Sequence, residues 1–312
     1  MVRKYIGADI GGTSIKLGIV DDSGSVLLRR EKAYRDRGPD VNVLEVLIEC
    51  IHEMLTDNGM DISSFSGIGV SAAGCINSVK GSVAVNGGNI PNWSHSEVCG
   101  ELRREFGIPA TLANDGNCAV MGELWTGAAK GFSDVLGVTL GTGVGGGVIT
   151  GGRLLEGSRG YAGEIGHFPT HAGGDSCVCG LKGCFERYAS TSALTRRTSA
   201  ERSEWDNGRI FFKAVEAGDE TAVSLLNSWI DEIAYGISGF VHVFDPQIIL
   251  IGGGVSVQEE LLIKPLRERV LSLVMPDFAE GLEFRPATLG NDAGMVGAVY
   301  YFKSKENISE DM

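Results

Sequence analysis

The chain has 312 residues, of which 43% are hydrophobic, and its formal net charge is −13. These numbers predict a packed globular protein, exclude a disordered chain and disfavour a general nucleic-acid binder. We find neither a run of about 18 apolar residues nor the apolar stretch of a signal peptide, so we expect no membrane partner and a cytoplasmic location.

Short apolar strands alternate with amphipathic helices in the first part of the chain. Hydrophobic periodicity and turn residues predict, in order, strands at KYIGADI, SIKLGIV and SVLLRREKAY, a helix over residues 40–58, a strand at SGIGVSAAG, a helix at HSEVCGELRREFG, a strand at PATLAN and a helix from Asp115. In the first helix, we expect Asp40 to be the N-cap and Gly59 to end the helix.

The same order of elements then starts again. DVLGVTL, a glycine cluster, GGGVIT and RLLEG repeat the earlier strand, glycine loop, strand, turn and strand. Helices follow near 207–244 and 255–275, with the strand QIILIGG between them, and a final helix from about Ala293 should pack on the first half. The repeat predicts an α/β fold with two related halves. The expected domains are a small one of residues 1–113 plus 297–312 and a larger one of residues 114–296.

Two glycine loops are candidates for phosphate binding: DIGGTSIK at residues 9–16 and LGTGVGGG at residues 140–147. Glycine lets a ligand approach the backbone closely, and successive amide groups form an anion-binding concavity. An ordinary hairpin turn is the alternative for either loop alone. Their corresponding places in the two halves favour phosphate contacts, with the candidates Gly11, Gly12, Thr13, Lys16, Thr142 and Gly143.

Other glycine patterns are weaker candidates for nucleotide sites. Gly141, Gly143 and Gly146 match the dinucleotide fingerprint, but that motif needs a helix directly after it, whereas GGVIT is expected to be a strand. The sequence contains no P-loop motif. A third cluster, IGGGVS, follows a strand and should open a helix. Gly253 and Gly254 in this cluster are candidates for contact with the base or ribose of a nucleotide.

Two phosphate hairpins in duplicated α/β halves, with a nucleotide turn later, resemble the superfamily of sugar kinases, actin and heat-shock ATPases. The resemblance implies duplicated halves of the RNase H type, with ATP in a cleft between two domains. It also implies that Asp9, beside the first loop, holds Mg²⁺ directly or through water. A turn residue at the end of a strand is the alternative role for Asp9.

Three of the seven cysteines lie close together in CVCGLKGC, residues 177–184. A reducing compartment argues against disulfides, and we interpret the four scattered cysteines as small core residues. The spacing H-x9-C-x-C-x4-C suits a closed tetrahedral Zn²⁺ site, which leaves no position for water and is therefore structural. Buried free thiols are one alternative, and His171 as ligand is another. The predicted ligands are His167, Cys177, Cys179 and Cys184.

GEIGH, residues 163–167, followed by CVCGLKGCFE resembles the ROK family of bacterial repressors and sugar kinases. DIGGTSIKLGIV, NIPNW, LANDGN, LGTGVGGGVI and IGGGV also occur in the family's order, so the resemblance covers almost the whole chain. It implies a hexokinase-type enzyme in which Asp115 is the general base. The sugar site that the resemblance implies consists of Asn114, Asp115, Glu164, His167 and Glu186.

The individual residues also have simpler interpretations. A helix N-cap is a common role for an aspartate at the position of Asp115. Glu164 and Glu186 would, without the flanking motifs, be read as solvated surface acids. Ala73, Ala113 and Gly116 differ from residues that the family often has near the sugar. These differences leave the preferred hexose open.

The family resemblance implies an ATP-dependent hexose kinase, with glucose as the first choice of substrate. N-acetylglucosamine, N-acetylmannosamine or another hexose is the alternative within the same class. The repressor branch of the family needs a helix-turn-helix before the first strand, which we do not expect here, and a non-enzymatic sugar sensor is a further alternative. The expected ligands are hexose, ATP, Mg²⁺ and structural Zn²⁺, and the expected assembly is a homodimer or homotetramer.

Overall fold

The structure is a computed structural model that describes residues 2–85 and 90–310. Asn89, which opens the NIPNW motif, lies outside the described residues, as do Met1 and residues 311–312 of the predicted small domain. The strands are β1 (Lys4–Ile10), β2 (Ser14–Asp21), β3 (Val26–Ala33), β4 (Ile68–Ala72), β5 (Cys75–Asn77), β6 (Ser82–Val85), β7 (Ala110–Asn114), β8 (Val135–Leu140), β9 (Val144–Thr150), β10 (Arg153–Leu154), β11 (Ile248–Gly252) and β12 (Glu283–Pro286).

The α-helices follow the same chain-order numbering. They are α1 (Val43–Asp57), α2 (Val98–Phe106), α3 (Asp115–Thr126), α4 (Glu186–Ala189), α5 (Thr191–Glu201), α6 (Gly208–Glu216), α7 (Glu220–Phe244), α8 (Lys264–Leu273), α9 (Pro276–Ala279) and α10 (Ala293–Glu310). None of the helices in the described ranges combines the length and the apolar content that a membrane span requires.

The chain forms two compact units. The first comprises Met1–Gly131, Arg153–Gly163 and Thr288–Met312, and the second comprises Phe132–Gly152 and Glu164–Ala287. The boundaries of the small and the larger domain that the sequence predicts, at residues 113 and 297, stay a prediction.

The first unit contains a five-stranded sheet in the order β3-β2-β1-β4-β7. Strands β1, β2 and β3 pair antiparallel, whereas β4 and β7 join them in parallel. Because both faces of β1 and β4 are covered, these strands are apolar almost throughout. A short hairpin of β5 and β6 follows β4.

Helix α10 lies against this sheet and against α3. The contact is close because glycine stands where the backbones meet: a Cβ on Gly69 would lie 2.3 Å from the carbonyl oxygen of Ala298. Likewise, a Cβ on Gly297 would lie 1.6 Å from the carbonyl oxygen of Cys118 in α3. The C-terminal helix is therefore part of the core of the first unit.

The start of α1 differs from the prediction. Asp40 was expected to cap the helix, but the Asn42 side chain accepts a hydrogen bond from the N–H of Leu44 at 3.2 Å. Asn42 directly precedes Val43, the first helical residue, which is the position that an N-cap requires. The Asp40 cap is thus wrong by two residues.

The second unit repeats the strand arrangement of the first. Strands β9 and β8 form an antiparallel hairpin, and β11 and then β12 extend it in parallel from the β8 side. This is the order in which β2, β1, β4 and β7 lie in the first unit. The two-residue strand β10 follows the glycine turn after β9. The duplicated α/β pattern is therefore present in both sheets.

The helices of the second unit begin and end differently from the prediction. The region 207–244 is two helices, because Gly218 has a φ of 77° and Asp219 then caps α7 by accepting hydrogen bonds from two backbone N–H groups. The region 255–275 begins with a π-helical turn at Glu259–Ile263 before α8. Helices α4, α5 and α9 and strands β5, β6 and β12 were not predicted.

Candidate active site and metal centre

The first glycine loop joins β1 to β2 and is held by its carbonyl groups. The Tyr34 hydroxyl donates to the oxygen of Gly11, the Tyr34 N–H donates to that of Thr13 at 3.2 Å, and Arg35 Nη1 donates to that of Gly12 at 2.9 Å. Within the part of the chain that the structure describes, no group accepts from the N–H of Gly12 or Thr13. Amide groups left free in this way suit an anion.

Asp9 lies near the end of β1, directly before this loop. Its Oδ1 accepts a hydrogen bond from Ser71 Oγ at 2.7 Å, and its cross-strand neighbour is Lys16. Burial raises the pKa of the Asp9 carboxyl, while Ser71 and Lys16 act in the opposite direction. Lys16 Nζ donates to Asn291 Oδ1 at 3.4 Å. Asp9 is thus a residue of strand β1 whose carboxyl group accepts a hydrogen bond from Ser71. The alternative role, a turn residue at the end of a strand, does not describe it.

Asn114, and not Asp115, is the N-cap of α3. Its Oδ1 accepts from the N–H of Gly116 at 2.8 Å and of Asn117 at 3.3 Å, while its Nδ2 donates to the Gly74 oxygen at 3.2 Å. Asp115 is already the first helical residue. The interpretation of Asp115 as the helix cap is therefore wrong, and Asn114 has a clear structural role beside its predicted contact with sugar.

The electrostatic setting of Asp115 suits a proton acceptor. Asp115 is an exposed residue, yet enough protein surrounds its carboxyl group that desolvation raises its pKa, and the charge of Asp9 raises the pKa further. One oxygen of Asp115 also accepts from the Gly116 N–H at 3.0 Å, which opposes the shift. A carboxylate with a raised pKa is a better base near neutral pH than an ordinary one.

The second glycine loop joins β8 to β9, and hydrogen bonds at Gly141 and at Val144 hold it in place. The oxygen of Gly141 accepts from Thr191 N at 2.9 Å and from Thr191 Oγ1 at 2.6 Å. Glu186 Oε2 accepts from the N–H of Val144 at 3.1 Å. Thr142 remains exposed at the tip of the loop. Glu186, which was predicted to contact sugar, therefore also contacts the predicted phosphate loop.

The third glycine cluster lies against the start of the second loop. Gly253 has a φ of 93°, and a Cβ there would lie 2.1 Å from the carbonyl oxygen of Leu140. Gly253 and Gly254 are both exposed, and the oxygen of Gly253 accepts hydrogen bonds from the N–H and hydroxyl of Ser256. The cluster forms the turn that was predicted after the strand, and helical backbone follows from Glu259.

The four predicted metal ligands lie together. Their donor atoms are all within 4.8 Å of one another. His167 Nδ1 is 3.6 Å from Cys177 Sγ, and the Sγ atoms of Cys179 and Cys184 are 3.6 Å apart. Tetrahedral Zn–S bonds of about 2.3 Å separate two sulfurs by about 3.8 Å, so the donor set fits this ion.

His171 is excluded from this group by its other contacts. Its ring stacks on Tyr188 with centroids 3.8 Å apart, and its Nδ1 is 3.0 Å from Thr170 Oγ1. The nearby turn needs glycine, because Gly183 has a φ of 76° and a Cβ there would lie 1.6 Å from the His171 oxygen. Of the two histidines considered, His167 is the one placed with the cysteines.

The two ring nitrogens of His167 lie in different surroundings. Nδ1 is on the cysteine side, whereas Nε2 is 4.0 Å from Glu164 Oε2. This arrangement agrees with one nitrogen for metal and one for sugar. Asn114 and Asp115 belong to the first unit, while Glu164, His167 and Glu186 belong to the second. The complete sugar site therefore stays a prediction.

Several residues that hold these groups were missed in the sequence. Ser71 could have been found as the one hydroxyl within the apolar strand IGVSA, and Asn117 as the second amide in LANDGN. Tyr34, Arg35 and Thr191 gave no signal, because their role depends on long-range contacts with backbone oxygens.

Solved structures define the class of this fold. A ROK family glucokinase from Streptomyces griseus, in complex with glucose and AMPPNP, matches with a TM-score of 0.78 and 32% identity, covering 95% of this chain and 97% of that chain. The predicted α/β fold of the actin-like, hexokinase type is therefore confirmed.

Sequence comparison then gives the family. The ROK family pattern matches residues 5–305. A glucokinase of Thermotoga maritima is 33% identical over 97% of this chain and 98% of its own length. A beta-glucoside kinase of Listeria monocytogenes serovar 1/2a is 31% identical over 98% of this chain and 100% of its own. The chain belongs to the ROK family, as the sequence motifs indicated.

Proposed function

We propose that the protein is an ATP-dependent hexose kinase that phosphorylates glucose at its 6-hydroxyl. The observation that carries the proposal is Asp115, a carboxylate with a raised pKa that is not used as a helix cap. Full-length similarity to proteins named glucokinase supports glucose as the substrate. A cytoplasmic location is part of the proposal, because ATP is the phosphoryl donor.

In this reaction Asp115 accepts the proton of the attacking sugar hydroxyl. The hydroxyl oxygen bonds to the γ-phosphorus as the bond to the β,γ-bridging oxygen breaks, and ADP leaves. Desolvation keeps the Asp115 carboxylate more basic than a solvated one, and the Asp9 charge adds to this effect in the absence of a cation on Asp9. Asn114 fixes the backbone at the start of α3, so the position of the base is set by the helix and not by a flexible loop.

The glycine loops would hold the phosphates of ATP. Gly12 and Thr13 offer amide groups in the first loop, and Thr142 offers a hydroxyl in the second. Gly253 and Gly254 would accept the nucleoside part, since their turn is open to solvent. Mg²⁺, when bound, neutralises charge on the phosphate oxygens, and Asp9 is the residue that would hold it directly or through water.

The zinc site would serve structure and substrate orientation. Three thiolates and His167 Nδ1 complete a closed set of four ligands, which leaves no position for a reacting water. Coordination through Nδ1 would fix the His167 ring with Nε2 available to a sugar hydroxyl. Glu164 and Glu186 would accept further hydroxyl hydrogen bonds.

A coupled ADP-release assay tests the function and its alternatives. Glucose, mannose, fructose, N-acetylglucosamine, N-acetylmannosamine and a β-glucoside should be compared, and glucose is expected to have the highest kcat/KM. A higher kcat/KM for an N-acetylhexosamine or a β-glucoside would reassign the substrate within the family. If the protein binds one of these sugars but releases ADP with none of them, the result would contradict a kinase and support a sugar sensor.

A further inference from the structure

The segment Arg153–Gly163 belongs to the first unit and leads directly into Glu164. After the two residues of β10 it contains no helix or strand, and most of its residues are at least partly exposed. Repeating backbone hydrogen bonds therefore do not fix its path. Its conformation depends on individual side-chain contacts.

Glu156 makes the largest set of these contacts. Its Oε1 accepts from Ser78 Oγ at 2.9 Å and from the Tyr301 hydroxyl at 2.6 Å, and its Oε2 pairs with Lys305 Nζ. The Glu156 side chain is 20% exposed. Burial raises the pKa of Glu156, but the hydrogen bonds from Lys305, Tyr301 and Ser78 outweigh it and lower the pKa overall. Glu156 is therefore a charged, fully partnered anchor.

Asn117 provides an anchor at the other end of the segment. Its Nδ2 donates to the Ala162 oxygen at 3.2 Å, and the residue is 3% exposed. Gly163 packs so closely on it that a Cβ there would lie 2.4 Å from Asn117 Oδ1. The Ala162 N–H in turn donates to the oxygen of Glu156 at 3.0 Å. The two anchors thus hold one connected piece of backbone.

We propose that Glu156 and Asn117 are positioning residues that hold the segment Arg153–Gly163, and so set the backbone from which Glu164 reaches the sugar. The inference rests on the proposed kinase function for its effect on sugar. Asn117 is two residues after Asp115 on the same helix, so one helix carries the proposed base and an anchor of the segment that leads to Glu164. Neither residue needs to touch sugar or ATP.

Glu123 offers a matched control. It is a buried carboxylate on α3, 2% exposed, and it accepts hydrogen bonds from the N–H groups of Ala128, Thr288 and Leu289, each at 2.7 Å. Glu156→Gln and Glu123→Gln are the same chemical change in the same unit. The two variants differ in the segment that is affected: Glu156→Gln weakens the anchor of residues 153–163, whereas Glu123→Gln weakens contacts with the backbone of Ala128, Thr288 and Leu289.

The first measurement is amide hydrogen exchange of the peptide covering residues 153–163, without sugar or nucleotide. Exchange is expected to be faster in Glu156→Gln and Asn117→Ala than in wild type, and unchanged in Glu123→Gln. This result does not depend on catalysis. Wild-type exchange rates in both anchor variants would overturn the proposal even if the protein is a hexose kinase.

The second measurement is steady-state kinetics with glucose and ATP. Losing one or two hydrogen bonds should raise the glucose KM between about threefold and thirtyfold in both anchor variants, with much smaller changes in kcat and in the ATP KM. Glu123→Gln should leave the glucose KM near wild type. An equal rise in the control would show a general loss of stability and overturn the positioning role.

A milder variant covers the case in which Glu156→Gln does not fold. Tyr301→Phe removes one donor to Glu156 and leaves Lys305 and Ser78 in place. It should raise the exchange rate and the glucose KM in the same direction but less. If wild type releases no ADP with any sugar, the kinase proposal fails, while the exchange measurement still decides whether the anchors hold the segment.

Discussion

Glu186 Oε2 accepts a hydrogen bond from the backbone N–H of Val144, so the residue that follows the cysteine cluster also holds the second glycine loop. The contact is tight, since a Cβ on Gly143 would lie 2.1 Å from the same oxygen. Glu186 therefore joins the predicted sugar site to the predicted phosphate site within the second unit.

Gly143→Val is expected to weaken the binding of both ATP and glucose, because the new side chain occupies the loop and displaces the Glu186 carboxylate. Calorimetry with each ligand measures the two effects. Thr142→Ala is the control: it removes an exposed hydroxyl without touching Glu186, so it should weaken ATP by about three- to tenfold and leave glucose unchanged. Unchanged ATP affinity in folded Gly143→Val would show that the loop does not bind phosphate.

Asp115→Asn is expected to lower kcat by about 10²- to 10⁴-fold, because asparagine cannot accept the proton of the sugar hydroxyl. Asn114 caps α3, so the variant should fold and bind glucose and ATP much as wild type does. Single-turnover kinetics and calorimetry separate the two quantities. A kcat within a few-fold of wild type would mean that the base is another group.

The same variant should change how stability depends on pH. Desolvation and Asp9 raise the pKa of Asp115 in the folded chain above its unfolded value. A group of this kind contributes stability at acidic pH and loses that contribution as pH rises through its folded pKa. Asparagine has no carboxyl group to ionise, so Asp115→Asn does not lose this contribution as the pH rises. At about pH 7 its free energy of unfolding should therefore exceed that of wild type, and the difference should narrow towards about pH 4. Urea denaturation across this range measures the difference; no difference at about pH 7, or a difference that widens towards low pH, would contradict the raised pKa.

Cys179→Ser is expected to lose the metal, to melt at a lower temperature and to bind glucose more weakly, because Zn²⁺ no longer orients His167 and the turn before Glu186. Metal analysis should find about one Zn²⁺ per wild-type chain. Cys50→Ala is the control, since Cys50 is a fully buried core thiol outside the cysteine cluster. It should lower the melting temperature but keep the metal. Wild type without zinc would contradict the site.

The sequence predicted those features that depend on local pattern. The strands around both glycine loops, the duplicated order of elements and the grouping of His167 with three cysteines all follow from periodicity, glycine placement and ligand spacing. The cap of α1 was misplaced, because Asp40 and Asn42 are both good caps and the choice depends on how the helix meets its core. Contacts such as Tyr34 with Gly11 were not predictable, because they join residues that only the folded sheet brings together.

The packing of α10 also affects the order in which the protein assembles during synthesis. Met295, Val299 and Phe302 share a buried cluster with Tyr5 and Val20, so the core on this side of β1 and β2 is complete only after α10 has been synthesised. The second unit is continuous from Glu164 to Ala287 apart from one earlier stretch, and it is fully synthesised first. Helix α3, which carries Asp115, reaches its final seat only when Gly297 has been translated. The nascent chain therefore cannot give the helix of Asp115 its full packing before α10 has been synthesised.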